Sequence, residues 1–553
     1  MLYYLRQGMT LAALFFTVLS FAEEKKAPDL AFQTIPNLNV TSNACYTPVF
    51  ATYTIVAGAP AVTLQSIKLD VSDSVTSIVP SPSKSCEENK KLTLNETCNI
   101  TLMLQPCGQN TIDRELIINI STTQGALKTS ISTQVTNLLQ ITAGNGANNS
   151  PLLVDSQDNG ITWKDVSSSV PNMPNLVMFN TAACNIGATC IVAGQDNTGT
   201  SGNYPPLLIT TLNSGADWSL VTQVFSNNEL IEFPTLGRFD GGSCSGNNCI
   251  AVGINISDDS PILFNSINAG ADWYQRSINN GPAIAELYGG SCSGDLCIVV
   301  GSDLTSNPSL PLLTSSIDGG VTWNRITTLQ NNVPFPANSI FNESDPSCSD
   351  TICIAGGIIQ DFSSFPPVPP HPFLISAVNS VSSWNQVSTV NNGLPAAGNF
   401  NGYSCSGKNC VAVGHNQTDQ NILIVNTTNN GSTWNRVTTL SDGSALPSGF
   451  LYQVSCSNNN CIASGGLLLL SSTDGGASWK KITTASGDQG FPTNGVFNSV
   501  GCTGNVCLAA GGDITNPPYL LTSFDGGITW NNVKVGQAGL PAGGDLNTVS
   551  ISR

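Results

Sequence analysis

An all-β fold is predicted for this chain: an eight-bladed β-propeller closed by its own C-terminal strand, with a small β-sandwich ahead of it. Three observations carry that expectation. All eight tryptophans of the 553-residue chain sit at the same point in eight copies of one turn motif. Seven hairpins with a cysteine at each shoulder alternate with those turns. Successive tryptophans are separated by 55, 55, 50, 61, 50, 45 and 51 residues, the period of a four-stranded repeat unit.

Ser156 to Trp163 reads S-x-D-x-G-x-T-W, and so do Ser316 to Trp323 and Ser523 to Trp530; Ser472 to Trp479 has Ser478 for the threonine. The acidic residue in these copies is Asp158, Asp318, Asp525 and Asp474 respectively. Weaker copies end at Trp218, Trp273, Trp384 and Trp434, with Asn213, Asn268, Asn379 and Asn429 at the acidic position. An apolar strand such as Pro311-Leu-Leu-Thr precedes each motif, and a strand begins at the tryptophan. Asp or Asn bonds its own turn backbone and Gly takes the left-handed conformation, so the motif is a hairpin turn. The tryptophan buries a large ring beside it. One copy departs: Ala377 replaces Ser and Val381 replaces Gly. A β-branched residue resists positive φ, so that turn is expected to be distorted.

The cysteine hairpins are Cys184/Cys190, Cys244/Cys249, Cys292/Cys297, Cys348/Cys353, Cys405/Cys410, Cys456/Cys461 and Cys502/Cys507. Cysteines facing each other across a short hairpin can be bridged, each bridge contributing roughly 2 kcal/mol in a chain-entropy account. Zinc would need C-x2-C or nearby histidine, and neither occurs in the repeats. One repeat is therefore strand A, cysteine hairpin, strand B, loop, strand C, Asp turn and strand D. Eight Asp turns and seven cysteine hairpins leave one unit incomplete. The array opens at Leu139-Gln-Ile-Thr-Ala-Gly, which reads as a strand B, and ends at Leu546-Asn-Thr-Val-Ser-Ile-Ser, which reads as a strand A. Pairing the two closes the ring at eight blades.

The segment before the repeat divides in two. Arg6, the apolar stretch from Thr10 and the Ser20-Phe21-Ala22 site read as a signal peptide over residues 1–22. An exported chain with 18 cysteines is expected to be secreted or periplasmic and disulfide-bonded. Residues 28–137 lack the repeat and show strand-like runs such as Phe50-Ala-Thr-Tyr-Thr-Ile-Val, which predict the sandwich domain. The propeller is expected to occupy 138–553.

The eight turns resemble the Asp-box, or BNR, repeat of sialidase-like, sortilin-like and photosystem II assembly factor-like propellers. The resemblance implies that the turns lie at the blade periphery. The run Leu92-Thr-Leu-Asn-Glu-Thr-Cys98-Asn-Ile-Thr-Leu-Met-Leu-Gln-Pro106 resembles bacterial Ig-like domains, which carry a cysteine, a short turn and then Cys-x-I-x-V/L before a proline. That resemblance favours pairing Cys86 with Cys98 and leaves Cys45 with Cys107, one of three possible pairings.

Chemistry is marked mainly by what is missing. Sialidase-like activity would imply an arginine triad, but the propeller has only Arg238, Arg276, Arg325, Arg436 and Arg553, three of them on outer strands. Two histidines, His371 and His415, and no nucleophile elbow, P-loop or dinucleotide fingerprint argue against those site types. No catalytic residue, cofactor or metal ligand is assigned. A net charge of −17 without a basic cluster argues against nucleic acid and anionic membrane as partners; no membrane insertion is expected, and a monomer is.

Cysteine hairpins and Asp turns must share one face of the disk, and the B–C and D–A connections the other. On that second face the proline-rich connection 361–373 offers Phe362, Phe365, His371 and Phe373 as candidate rim residues, and Glu229, Glu232 and Phe233 form a second group. The leading expectation is a non-enzymatic, exported binding or scaffold protein that takes a protein or glycan there. One alternative is a carbohydrate-active hydrolase using a carboxylate pair at the channel mouth, drawn from acids such as Asp240, Asp258, Asp259, Glu286, Glu343, Asp345, Asp361 and Asp545. Another is an assembly factor for an exported complex.

Overall fold

The structure is a computed structural model. It describes residues 138–552 except 158–159, 161, 186–188, 200–203, 227–228, 343–344, 361–367, 488–489, 514–515 and 534–542, together with strands between residues 30 and 135. Cys45, Cys107, Asp158, Phe362 and Phe365 lie outside the described residues.

The elements described in the N-terminal unit are all strands. One sheet orders Leu30–Thr34, Val49–Ala57, Thr97–Leu104 and Thr76–Val79; a second contains Gly125–Val135, Ile112–Thr122, Val62–Asp70 and Lys91–Leu92 in that order. Cys86 is bonded to Cys98.

The second unit is the eight-bladed propeller. Blade I takes strand A from the C-terminus (Gly544–Ile551), followed by B (Gln140–Gly146), C (Pro151–Ser156) and D (Lys164–Asp165). Closure is antiparallel, Gln140 opposite Ile551 through Gly146 opposite Gly544. It is locked by Ser552 N–H donating to Leu139 O (2.8 Å) and Leu139 N–H donating to Ser552 Oγ (2.9 Å). Blades II to VIII then follow in chain order. Their A strands are Val177–Cys184, Arg238–Ser245, Ala285–Ser293, the split pair Ser339–Phe341 and Ser347–Cys348, Gly398–Ser406, Gln453–Ser457 and Val496–Thr503.

The tryptophans are the mortar between blades. All eight are buried. Each packs on strands B and C of the preceding blade: Trp323 on Ile250, Val252 and Leu263, Trp434 on Ile352, Ile354 and Leu374, and Trp163 on Val506, Leu508 and Leu520 across the closure. Burying one such ring is worth on the order of 5 kcal/mol of transfer free energy. The turns hold the rings in place. Asp318 Oδ1 accepts the Thr322 N–H (2.8 Å) and Oδ2 the Thr322 hydroxyl (2.7 Å). Ser316 Oγ accepts the Gly320 N–H (2.9 Å), and Trp323 Nε1 donates to Gly320 O (2.8 Å). Where Asn replaces Asp, its amide also donates: Asn213 Nδ2 meets Asp217 Oδ2 at 2.9 Å and Asn268 Nδ2 meets Asp272 Oδ2 at 2.7 Å. In the departing copy, positive φ moves to Asn379 (55°), while Trp384 Nε1 still donates to a carbonyl, that of Val381 (2.9 Å).

All seven cysteine hairpins are disulfides: Cys184–Cys190, Cys244–Cys249, Cys292–Cys297, Cys348–Cys353, Cys405–Cys410, Cys456–Cys461 and Cys502–Cys507, with Cα separations of 4.0–4.2 Å. So short a separation marks the non-hydrogen-bonded pairing site, where the strand A cysteine N–H points away from strand B. A serine of the preceding blade catches it. Ser550 Oγ accepts from Cys184 N, Ser243 from Cys292, Ser291 from Cys348, Ser347 from Cys405, Ser404 from Cys456 and Ser455 from Cys502, at 2.8–3.0 Å. The other two junctions carry Ala183 and Gly501 at the serine position.

The sequence treats the two cysteines of each hairpin alike, but the structure does not. The strand A members, Cys184, Cys244, Cys292, Cys348, Cys405, Cys456 and Cys502, line the channel at the Asp-turn end, around a cavity of about 230 Å³. The strand B members, Cys190, Cys249, Cys297, Cys353, Cys410, Cys461 and Cys507, are at most 2% exposed and do not line it. Both halves of these bridges reach the interblade cores, Cys184 and Cys190 in the cluster of Trp218 and Cys405 and Cys410 in that of Trp434, but only the strand A half also borders the channel. The seven strand B members are scaffold and not site residues: strand B is one layer out from the channel, so its half of each bridge has no route to a ligand.

Two expectations need correction. Phe373 is not a rim residue: it is 1% exposed in strand C of blade V, where it packs against Phe341 and Ile375. Only the ends of that strand, His371 and Val378, are exposed; every residue from Pro372 to Ala377, Phe373 included, is buried. Phe233 likewise turns inward, with its ring edge-on to Phe239 and Phe264 at 6.0 and 5.5 Å. Glu229 and Glu232 are exposed, on a short strand that extends blade III beyond strand D at the disk's outer edge.

Candidate functional site

Strand A lines a central channel, and a recurring defect in that strand shapes its mouth. In blades I, II, III, IV, VI and VIII one residue drops out of register with strand B. A bulge frees its extra residue from the ladder and re-aims the side chain. The position just after a buried Phe or Leu holds Asn180, Asp240, Tyr288, Asn342, Asn401, Tyr452, Asn498 and Asn547 in blades II through VIII and I. All but Asn547 line one cavity of about 740 Å³ at the B–C/D–A end of the channel. Opposite each bulge, strand B carries glycine. At Gly194, Gly253, Gly301, Gly414 and Gly511 an added Cβ would collide with a strand A carbonyl oxygen.

Where the bulge residue is Asn, it ties blades together. Asn180 Nδ2 donates to Phe239 O (2.7 Å), Asn401 to Leu451 O (2.9 Å), Asn498 to Leu546 O (3.2 Å), and Asn342 to Phe400 O. The three departures carry different chemistry. Asp240 accepts from Arg238 Nε (2.7 Å), and the same guanidinium reaches Glu286 through Nη2. Tyr288 donates to Ser302 Oγ (2.9 Å). Tyr452 stays 45% exposed.

Asp345, in the connection that splits strand A of blade V, crosses toward blade IV. Its Oδ1 accepts the Gly290 N–H at 3.0 Å. Gly241 and Gly289 leave it room, since a Cβ on either would strike the carboxylate. Enclosure pushes its pKa up to about 7; the Gly290 N–H opposes the rise and the Asp240 charge adds to it. Asp345 is open to the channel on one side and walled by the backbone of Gly241 and Gly289 on the other. The mouth thus gathers Asp240, Glu286, Asp345 and Arg238. Glu343 and Asp361 lie outside the described residues, and Asp258 and Asp259 stay in the exposed blade III loop.

Across the ring, Phe450 is 46% exposed beside Tyr452, their planes within 6° and their centroids 6.4 Å apart. His415, 3% exposed, lies under Phe450 at 4.0 Å. Desolvation lowers the His415 pKa, with Asp419 pulling the other way. Sequence reasoning missed Arg238, Phe450, Tyr452 and His415 as mouth residues. Aligning the repeats on the residues flanking the buried Phe or Leu of strand A would have found the first three. No group of three or more His, Cys, Asp or Glu placed to hold a metal occurs among the described residues, and no helix there is long and apolar enough to cross a membrane.

The fold and channel define a disulfide-braced, eight-bladed β-propeller. No protein-family model matches the chain, and no curated protein matches it. Among solved structures it is similar to YCF48 bound to D1 peptide, at 13% identity over 60% of this chain and 90% of that one, with a TM-score of 0.36. It is similar to the β-propeller domain of the Trilobed protease from Pyrococcus furiosus, at 9% identity over 66% and 97%, TM-score 0.37. A third is the Hadza microbial sialidase Hz136, at 8% identity over 81% and 98%, TM-score 0.32. At such identities the likeness is one of architecture and assigns no activity.

Proposed function

We propose that this chain is an exported, non-enzymatic binding protein that takes a protein or glycan at the channel mouth on the loop-rich face. One observation carries the reading. The mouth is a roomy polar cavity of about 740 Å³ whose carboxylates are largely committed to structure. Asp240 and Glu286 share Arg238, and Asp345 accepts a backbone N–H of the neighbouring blade. Such a wall recognises hydroxyls and amides without presenting an idle acid and base. The eight disulfides suit an oxidising, secreted or periplasmic setting. We read the turns as Asp-box repeats over 138–553, residues 28–137 as an Ig-like domain and 1–22 as a signal peptide. The Asp-to-Thr or Asp-to-Ser bonding of the turns supports the first assignment and the two sheets of the N-terminal unit the second; the signal peptide lies outside the described residues and rests on its sequence.

A hydrolase is the second reading. It is favoured by Asp345 and Asp240 sharing the cavity, with the Asp345 carboxyl held protonated more readily than usual. One experiment separates the two. The full chain is screened against a glycan panel and a peptide library for binding, and the bound glycans are then followed for cleavage. Binding without cleavage, unaffected in kind by Asp345→Asn, supports the binding protein. Cleavage abolished by Asp345→Asn establishes the hydrolase, and an empty screen removes both.

A further inference from the structure

The channel mouth is chemically two-sided. In a ring of eight, blade III stands opposite blade VII and blade IV opposite blade VIII. Asp240 and Asp345 line the cavity from blades III and V, with Arg238 bonded to both Asp240 and Glu286 behind it, while Tyr452 lines it from blade VII with Phe450 stacked alongside. Two large aromatic residues, each nearly half exposed with parallel planes, are an unusual use of side chains that normally supply core burial. They are also held in place: the buried His415 ring backs Phe450, and the backbone between them is anchored by Leu451 N–H donating to Gly414 O (3.2 Å). Beside them Gln453 lines the cavity; its Oε1 accepts from Ser499 Oγ (3.0 Å), which leaves its NH2 for a ligand. Asn399 donates to Asn401 Oδ1, leaving its own carbonyl oxygen as an acceptor.

We propose that this side of the mouth is a saccharide subsite. A pyranose lays its C–H face on Phe450 and Tyr452, and its hydroxyls meet Gln453 Nε2, Asn399 Oδ1 and the Tyr452 hydroxyl. The inference rests on the binding reading above and names its ligand class. Two observations favour a sugar over a peptide. The channel-facing edge of strand A is already occupied by the interblade asparagines and serines, so a peptide cannot add to it as a further strand. The wall instead offers amides beside a flat ring surface, matching a ring of C–H bonds edged with hydroxyls. Asp240 and Glu286 share one guanidinium on the facing wall, and this excess of acid sets the charge preference: neutral and amino sugars are admitted and uronic sugars repelled.

The test is a panel of neutral, amino and uronic pyranose oligosaccharides, with a library of basic peptides alongside, presented to the full chain under non-reducing conditions. Neutral or amino oligosaccharides should bind, with Kd rising about tenfold or more in Phe450→Ala and Tyr452→Ala. Tyr452→Phe should keep most of the affinity, and an unchanged melting temperature shows that the variants are folded. Uronic oligosaccharides bound as tightly as neutral ones overturn the charge preference. Saccharide binding indifferent to both alanine variants overturns the subsite. Peptides bound in place of saccharides overturn the ligand class and leave the binding reading standing, whereas a chain that binds neither removes both.

Discussion

The serine pins make the sharpest prediction about how the ring is held. Ser404→Ala removes the hydroxyl that accepts the Cys456 N–H at 2.8 Å, in a junction where both residues are buried. The Cys456 N–H then has strand B behind it and a methyl group ahead. Leaving a buried donor unpaired costs about 1–3 kcal/mol, more than the net worth of the bond itself. In a domain of several hundred residues that amounts to a fall of a few degrees in melting temperature. The better readout is local: hydrogen exchange at the Cys456 amide should quicken by about tenfold or more, with the amides of other blades unchanged. The complementary variant fills a natural gap. Ala183→Ser places a hydroxyl where the blade II–III junction lacks one, next to Cys244, and should slow exchange there and add up to about 1 kcal/mol. If Ser404→Ala leaves both the melting temperature and Cys456 exchange untouched, the pins are ornaments of a ring held by its tryptophans alone.

Two further outcomes follow from buried groups. Asp155 is 2% exposed, and burial raises its pKa against hydrogen bonds from Trp218 and Gln157 and the charge of Lys164; its native form holds a proton above the ordinary 3.8, so stability drains away as pH rises through that window. Asp155→Asn keeps an acceptor for Trp218 Nε1, so it should stabilise the fold by on the order of 1 kcal/mol at neutral pH and by nothing near pH 3, as thermal melts across pH would record. Gly414→Ala drives a Cβ into the Asn399 carbonyl and should cost about 1–3 kcal/mol or block folding, while Gly543→Ala, where a Cβ meets nothing, should melt like the parent chain.

Much of the scaffold was legible because its forces are local and repeated. The Asp turn announces itself through residues that bond within one hairpin, such as Asp318 with Thr322. The cysteine hairpins announce themselves through spacing, though spacing does not say which cysteine also borders the channel. Ring closure was readable because an unmatched strand B at Leu139 required an unmatched strand A at the other end. Residue type misled where packing against a neighbouring layer decided direction. Phe373 and Phe233 are apolar residues in segments that read as exposed loop, yet Phe373 lies in a buried strand C and Phe233, just past the short strand Glu229–Glu232, packs on Phe239 and Phe264. The mouth was illegible for another reason: its members are single residues from blades about 50 residues apart, brought together by a bulge that leaves no mark in composition.

That contrast separates structure from function more cleanly than residue type does. Positions that repeat faithfully, the tryptophans, the strand B glycines and the asparagine bulges, are those whose partners lie in their own or the next blade. Positions that break the repeat line the same cavity without the interblade bond that the asparagines make. Asp240 and Tyr288 stand where Asn would have tied two blades, and Asp345 fills the gap they leave by reaching from the one strand A that is split. Tyr452 likewise gives up an interblade bond and takes on exposed aromatic surface. Each exchange gives up a ring-closing hydrogen bond, worth about 1 kcal/mol, for a side chain turned toward the cavity. A chain selected only for stability would have kept asparagine at all three, so the broken positions on blades III, IV, V and VII are where the ligand is to be sought.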